Sequence, residues 1–169
     1  MKLSTHITYV QDMEKALLLM QEAGKWLKNT NKHPSKWWKV ENLTKERVLE
    51  YSHPDEFYVV EIDNKPAGSV ILQTRQIDPN WLVIDGNILK HALYIHALCV
   101  SRIFAGIGLP AIIMKFASGF AIDRGLHVLR VDTNANGVKL RKIYENLGFY
   151  LVAIKQEDYR KTAFYQKNI

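Results

Sequence analysis

Gly106, Gly108 and Pro110 stand between a strand-like run and a helix-like run. That spacing can hold an anion. Glycines let main-chain N–H groups approach a ligand, and the first turn of a helix offers unpaired N–H groups with partial positive charge. Pro110 suits that first turn, where its missing N–H costs nothing. The alternative is a tight connection with no ligand. Ala92 to Val100 (ALYIHALCV) predicts a buried strand ahead of the loop. Ile112, Ile113, Phe116, Ala117, Phe120 and Ala121 recur at helical spacing after it.

Other elements must carry this unit. Ile7 to Val10 predicts a short strand, and Asp12 caps a helix with Ala16, Leu17, Met20, Ala23 and Leu27 on one face. Trp37 and Trp38 are adjacent, so both cannot face one core, and one of them is left for a pocket or partner. Thr44 starts a second helix. Phe57 to Ile62 and Ala67 to Leu72 flank Asp63-Asn64-Lys65-Pro66 as a hairpin. Arg75 to Lys90 reads as a polar connection with turns at Asp78-Pro79-Asn80 and Asp85-Gly86-Asn87. Val128 to Thr133 is a strand, Val138 to Leu147 a helix stopped by Gly148, Phe149 to Ile154 a strand, and Ala163 to Tyr165 a last one. The order predicts one α/β (α+β) domain with a mixed sheet.

The 169 residues suit one domain with a real core. No apolar run reaches the roughly 18–20 residues that span a bilayer, and the N-terminus turns polar at once, so neither a membrane span nor a secretory signal is expected. The one cysteine, Cys99, excludes an intrachain disulfide, and no Cys/His spacing suggests a metal. A reduced, cytoplasmic protein is expected. The net charge of +6 suits a phosphate-rich cofactor or nucleic acid, but the basic residues are scattered and form no recognisable nucleic-acid module.

Leu98 to Gly108 (LCVSRIFAGIG), the helix closing at Arg124-Gly125, Val131-Asp132-Thr133, Asn134-Ala135-Asn136 and Leu140 to Phe149 (LRKIYENLGF) together resemble the GNAT superfamily of N-acetyltransferases. The resemblance covers Ala92 to Ile154 well and the first 90 residues only by element order. It implies one GNAT-like domain over residues 1–169. Its sheet would be mixed, mostly antiparallel, splayed at the strand ending at Val100, and flanked by helices on both faces. It implies acetyl-CoA as cofactor and a small primary amine as substrate. Protein or peptide amines are the alternative acceptor. A homodimer is left open.

The same resemblance implies the site. The strand Leu98, Cys99 and Val100 would pair with pantetheine, and the Val100 N–H would polarise the thioester carbonyl. The loop Ala105, Gly106, Ile107, Gly108 and Leu109 would hold the diphosphate, with Asn136, or Asn134, contacting the cofactor. Tyr144, in Tyr-Glu-x-x-Gly-Phe, would be the general acid, since an ordinary phenol stays protonated at neutral pH. Ala105 stands where the family has Gln or Arg, and Pro110 replaces a small residue. Arg102 and Lys115 are candidate substitutes for the lost side chain. These departures keep alive a domain that senses acyl-CoA without turnover. The strand lacks an acid, so His96, with an unperturbed pKa near neutrality, is the candidate base, the alternative being loss of the amine proton through water. Counting in twos places Tyr94 and His96 on the face of Leu98 and Val100. Trp37, Trp38 and Tyr94 are the candidate acceptor-binding residues.

Overall fold

The computed structural model describes residues 5–30 and 35–169. Pro34, which with Ser35 reads in the sequence as a helix break, lies outside them. Among the described residues seven strands, β1 (Ile7–Gln11), β2 (Phe57–Ile62), β3 (Lys65–Gln73), β4 (Leu93–Val100), β5 (Val128–Asn134), β6 (Tyr150–Gln156) and β7 (Lys161–Asn168), form one mostly antiparallel open sheet in the order β1-β2-β3-β4-β5-β7-β6. The chain divides into two compact units. One holds Met1–Ile71 and Ala97–Ile113, the other Leu72–His96 and Met114–Ile169.

In the first unit, β1 (Ile7–Gln11) pairs antiparallel with β2 (Phe57–Ile62), which returns as β3 (Lys65–Gln73). The hairpin turn is tight because Asp63 and Asn64 both adopt positive φ, at 49° and 64°. Two such residues give the turn whose twist matches the flanking strands. Helix α1 (Met13–Asn29) begins where the Asp12 carboxylate accepts from the Lys15 N–H at 3.0 Å. Its apolar stripe of Ala16, Leu17 and Met20 packs with Phe57, Val59 and Ile71. Helix α2 (Lys45–Val48), capped by Thr44, is a single turn that delivers Val48 to the same core.

The second unit contains α3 (Pro79–Ile84). Asp78-Pro79-Asn80 is the start of this helix and not a free turn. The Asp78 side chain accepts from the Asn80 N–H at 2.9 Å, and Pro79 takes the first helical position. Strand β4 (Leu93–Val100) runs parallel to β5 (Val128–Asn134) over Leu93–Ile95, opposite Leu129–Val131. Helix α4 (Leu109–Ile122) joins them, and α5 (Val138–Asn146) follows β5. The last strands are β6 (Tyr150–Gln156) and β7 (Lys161–Asn168), and β7 lies between β5 and β6. Among the described residues no helix is long and apolar enough to cross a membrane.

Candidate functional site

The strand β4 changes character at its middle. Its register with β5 covers Leu93–Ile95, while β5 goes on to Asn134 along β7. Ala97 then adopts φ 51°, a left-handed conformation costly to a residue with a side chain. The left-handed residue interrupts the two-residue alternation. Counting in twos therefore cannot set Tyr94 and His96 on one face with Leu98 and Val100, and that expectation is withdrawn.

Beyond the bend, Leu98 and Val100 are half-buried and Cys99 is buried. The Cys99 thiol lies 3.1 Å from the Ser69 hydroxyl, and burial pushes its pKa up to about 11. It is therefore a packed thiol, not a nucleophile. The chain stays on the sheet as far as Ser101, whose N–H donates to the Ala67 carbonyl at 2.8 Å. The Glu22 carboxylate, from α1, accepts from the Ser101 hydroxyl and the Arg102 N–H, each at 3.0 Å. The loop thus leaves the sheet from a fixed point.

Gly106 and Gly108 have φ of 84° and 82°, and a Cβ on either would meet nothing within 4 Å. Ala105 to Gly108 are exposed, and Leu109, fully buried, anchors the first turn of α4. Among the described residues no backbone carbonyl takes up the N–H groups of Gly106, Ile107, Gly108 and Leu109. These donors stand at the start of a 14-residue helix beside open space. That is the arrangement an anion needs. Neither candidate substitute for the family's Gln or Arg is placed to certify that role. The Arg102 guanidinium lies 4.1 Å from the Trp26 ring centre, and Lys115 is simply exposed.

On the other unit, Tyr144 is buried on α5 with its ring 5.8 Å from Phe149 and 6.3 Å from Tyr165. Burial, reinforced by the Asp132 charge, holds its phenol well above the usual tyrosine range. His96 is half-buried, with Nδ1 3.6 Å from Asp132 Oδ1 and a buried Nε2. The second Asp132 oxygen accepts from Arg160 at 2.7 Å. Asp132 reads in the sequence only as part of the Val131-Asp132-Thr133 stretch, with no role attached, and Arg160 carries no sequence signal. Asp132 sits at a polar position in an apolar strand, the one signal that could have drawn notice.

Tyr94 is a correction. It is 2% exposed, packs against Trp81 at 6.1 Å between ring centres, and its hydroxyl accepts from Arg130 at 3.3 Å. It is core, not a wall of an open acceptor site. The tryptophan pair divides as adjacency demands. Trp38 is half-buried against the α1 core, while Trp37 is 39% exposed and edge-on to Tyr51 at 5.0 Å. Asn136 is exposed, and its N–H donates to the Asn134 side chain at 2.9 Å, a local turn bond. Arg141, near the start of α5, is engaged by Tyr165 and the Ala135 carbonyl.

Residues 18–149 match the profile of the Acetyltransferase (GNAT) family. Among solved structures, a GNAT-family acetyltransferase from Listeria monocytogenes 4b F2365 is 22% identical, with a TM-score of 0.70 over 98% of this chain and 95% of that one. The structure of yncA from Salmonella typhimurium with its cofactor acetyl-CoA is 15% identical, with a TM-score of 0.65 over 98% and 94%. A Bacillus anthracis str. Ames structure in complex with acetyl coenzyme A is 15% identical, with a TM-score of 0.54 over 67% and 61%. At these identities the likeness is one of fold. No match was found among curated proteins.

Proposed function

Because the chain belongs to the acetyltransferase (GNAT) family, we propose that it moves an acetyl group from acetyl-CoA to a primary amine of a small molecule, as one domain over residues 1–169. The observation that carries this reading is the loop Gly106–Leu109. Four consecutive amides there donate to no backbone carbonyl among the described residues, at the start of a long helix and beside open space. A diphosphate fits that chemistry, since main-chain donors hold it without a dedicated side chain. The Ala105 departure therefore removes one contact and leaves the cradle.

When bound, acetyl-CoA supplies the acetyl group as a thioester. The loop amides, with Ala105 at the entry, hold the diphosphate, and the main chain of Leu98, Cys99 and Val100 pairs with the pantetheine amides. Asn136 adds a polar contact from the turn before α5. The Val100 N–H donates to the carbonyl oxygen as negative charge gathers there. His96 takes the proton that the attacking amine loses. Tyr144 donates its hydroxyl proton toward the departing sulfur. Its raised pKa keeps it protonated throughout the neutral range, so it is always a donor. Trp37 and Trp38 contribute an aromatic wall for the acceptor.

The Ala105 and Pro110 departures favour a second reading, a domain that holds acyl-CoA without turnover. The test is a panel of amines, amino acids, polyamines and peptides, assayed for thiol release from acetyl-CoA. Amine-dependent release supports the transferase. Binding of acetyl-CoA with no release from any acceptor favours the sensor. Absence of both binding and release at millimolar acetyl-CoA defeats the two together.

A further inference from the structure

We infer that Asp132 is a positioning residue for His96, fixed in turn by Arg160, and that these two side chains tune the protonation of the proposed base in opposite directions. The inference rests on the reading of His96 as proton acceptor. Its geometry is independent of that reading. One Asp132 oxygen faces His96 Nδ1 at 3.6 Å and the other accepts from Arg160 at 2.7 Å. The three side chains are 21%, 16% and 11% exposed in the order His96, Asp132, Arg160. At that depth a charge acts more strongly than on the surface.

A carboxylate beside Nδ1 favours the tautomer that carries its proton there, which leaves the lone pair on Nε2. It also stabilises the imidazolium that forms when His96 gains a proton. The 3.6 Å separation is longer than a hydrogen bond. At that separation the carboxylate acts on the ring through its charge. Arg160 opposes the imidazolium but orients the carboxylate, and its Nε is itself steadied on the Thr162 hydroxyl at 3.0 Å.

Other charged groups surround the trio. Tyr144 on α5 feels both Asp132 and Arg160. Asp78, before α3, has its pKa raised by burial, with Asp132 and Glu157 adding to the rise. Glu157 accepts from the Thr162 hydroxyl and from Asn80. Asp132 approaches the His96 ring to 3.6 Å, so its removal acts on that ring directly.

The test follows the His96 imidazole by NMR through a pH titration, its signal being the one absent from His96→Gln. Asp132→Asn should lower the pKa of that signal by about half to one unit, and Arg160→Gln should raise it by a similar amount. The acid limb of kcat/KM should move with it, and Asp132→Glu should restore the original limb. Opposite signs are the expected result; shifts of the same sign, or none, overturn the pairing. Should Asp132→Asn fail to fold, the upward shift in Arg160→Gln decides alone. If His96→Gln transfers acetyl at the unaltered rate, it is the base assignment that fails, while the titration still judges the pairing.

Discussion

Arg130 and Asp132 stand two residues apart on one side of β5, and the structure treats them in opposite ways. Arg130 is 1% exposed. Its guanidinium makes two 2.7 Å bonds to Asp85, donates to Gln166 and Tyr94, and lies 4.4 Å from the Trp81 ring centre. Asp132 is paired on one side only at bonding distance and faces His96 across a longer gap. The same residue types thus serve two ends. The closed cluster fastens α3 and the following Asp85 to the sheet. The open one leaves its second carboxylate oxygen 3.6 Å from the His96 ring, beyond hydrogen-bond distance. Density of pairing, not the presence of charge, separates a structural rivet from candidate chemistry.

The sharpest way to break this contrast is Arg130→Met. It leaves the buried Asp85 carboxylate with only the 3.5 Å approach of Lys90, at a cost of about 3 kcal/mol, to be read from urea unfolding. The turnover of the folded fraction should not change. Burial works to raise the Asp85 pKa, but the Arg130 bonds and charge prevail and hold it below the usual carboxylate range. The stabilisation is therefore present above the ordinary Asp pKa and lost as pH falls through the folded value. In Arg130→Met that acid-dependent part of the unfolding curve should shrink to what Lys90 alone maintains.

Tyr144→Phe should have the converse signature. Turnover should fall about a hundredfold, with stability changed by less than about 1 kcal/mol and acetyl-CoA affinity kept. A large loss of stability instead would make Tyr144 another rivet. Gly108→Ala is a smaller lever. A side chain at φ 82° costs about 1 kcal/mol, and an equal loss in holding the cofactor raises its Kd about fivefold. The smallest effect is expected from Trp37→Ala. Its stability should stay within about 0.5 kcal/mol, while the KM for the amine rises and that for acetyl-CoA does not.

The sequence revealed what local chemistry decides. The Asp63-Asn64 turn, the Asp12 and Thr44 caps and the glycine loop each follow from a few adjacent residues. Long-range pairing was not legible. Lys161 to Asn168 alternates too weakly to announce itself, so only Ala163 to Tyr165 was read as strand, yet insertion between two strands buries Thr162 to Tyr165. Arg160 and Asp132 lie 28 residues apart and meet only once β7 lies against β5. Tyr94 misled because a tyrosine on a strand near the presumed site has the same sequence appearance whether it lines a cleft or, as here, braces a buried arginine.

The central claim is that the main chain at residues 106–109 grips the cofactor's diphosphate. Amide proton–nitrogen NMR spectra recorded during a coenzyme A titration test it directly. The largest shifts should fall on Gly106, Ile107, Gly108 and Leu109, saturating with a single affinity. Saturable binding that leaves those four amides unmoved would contradict the account.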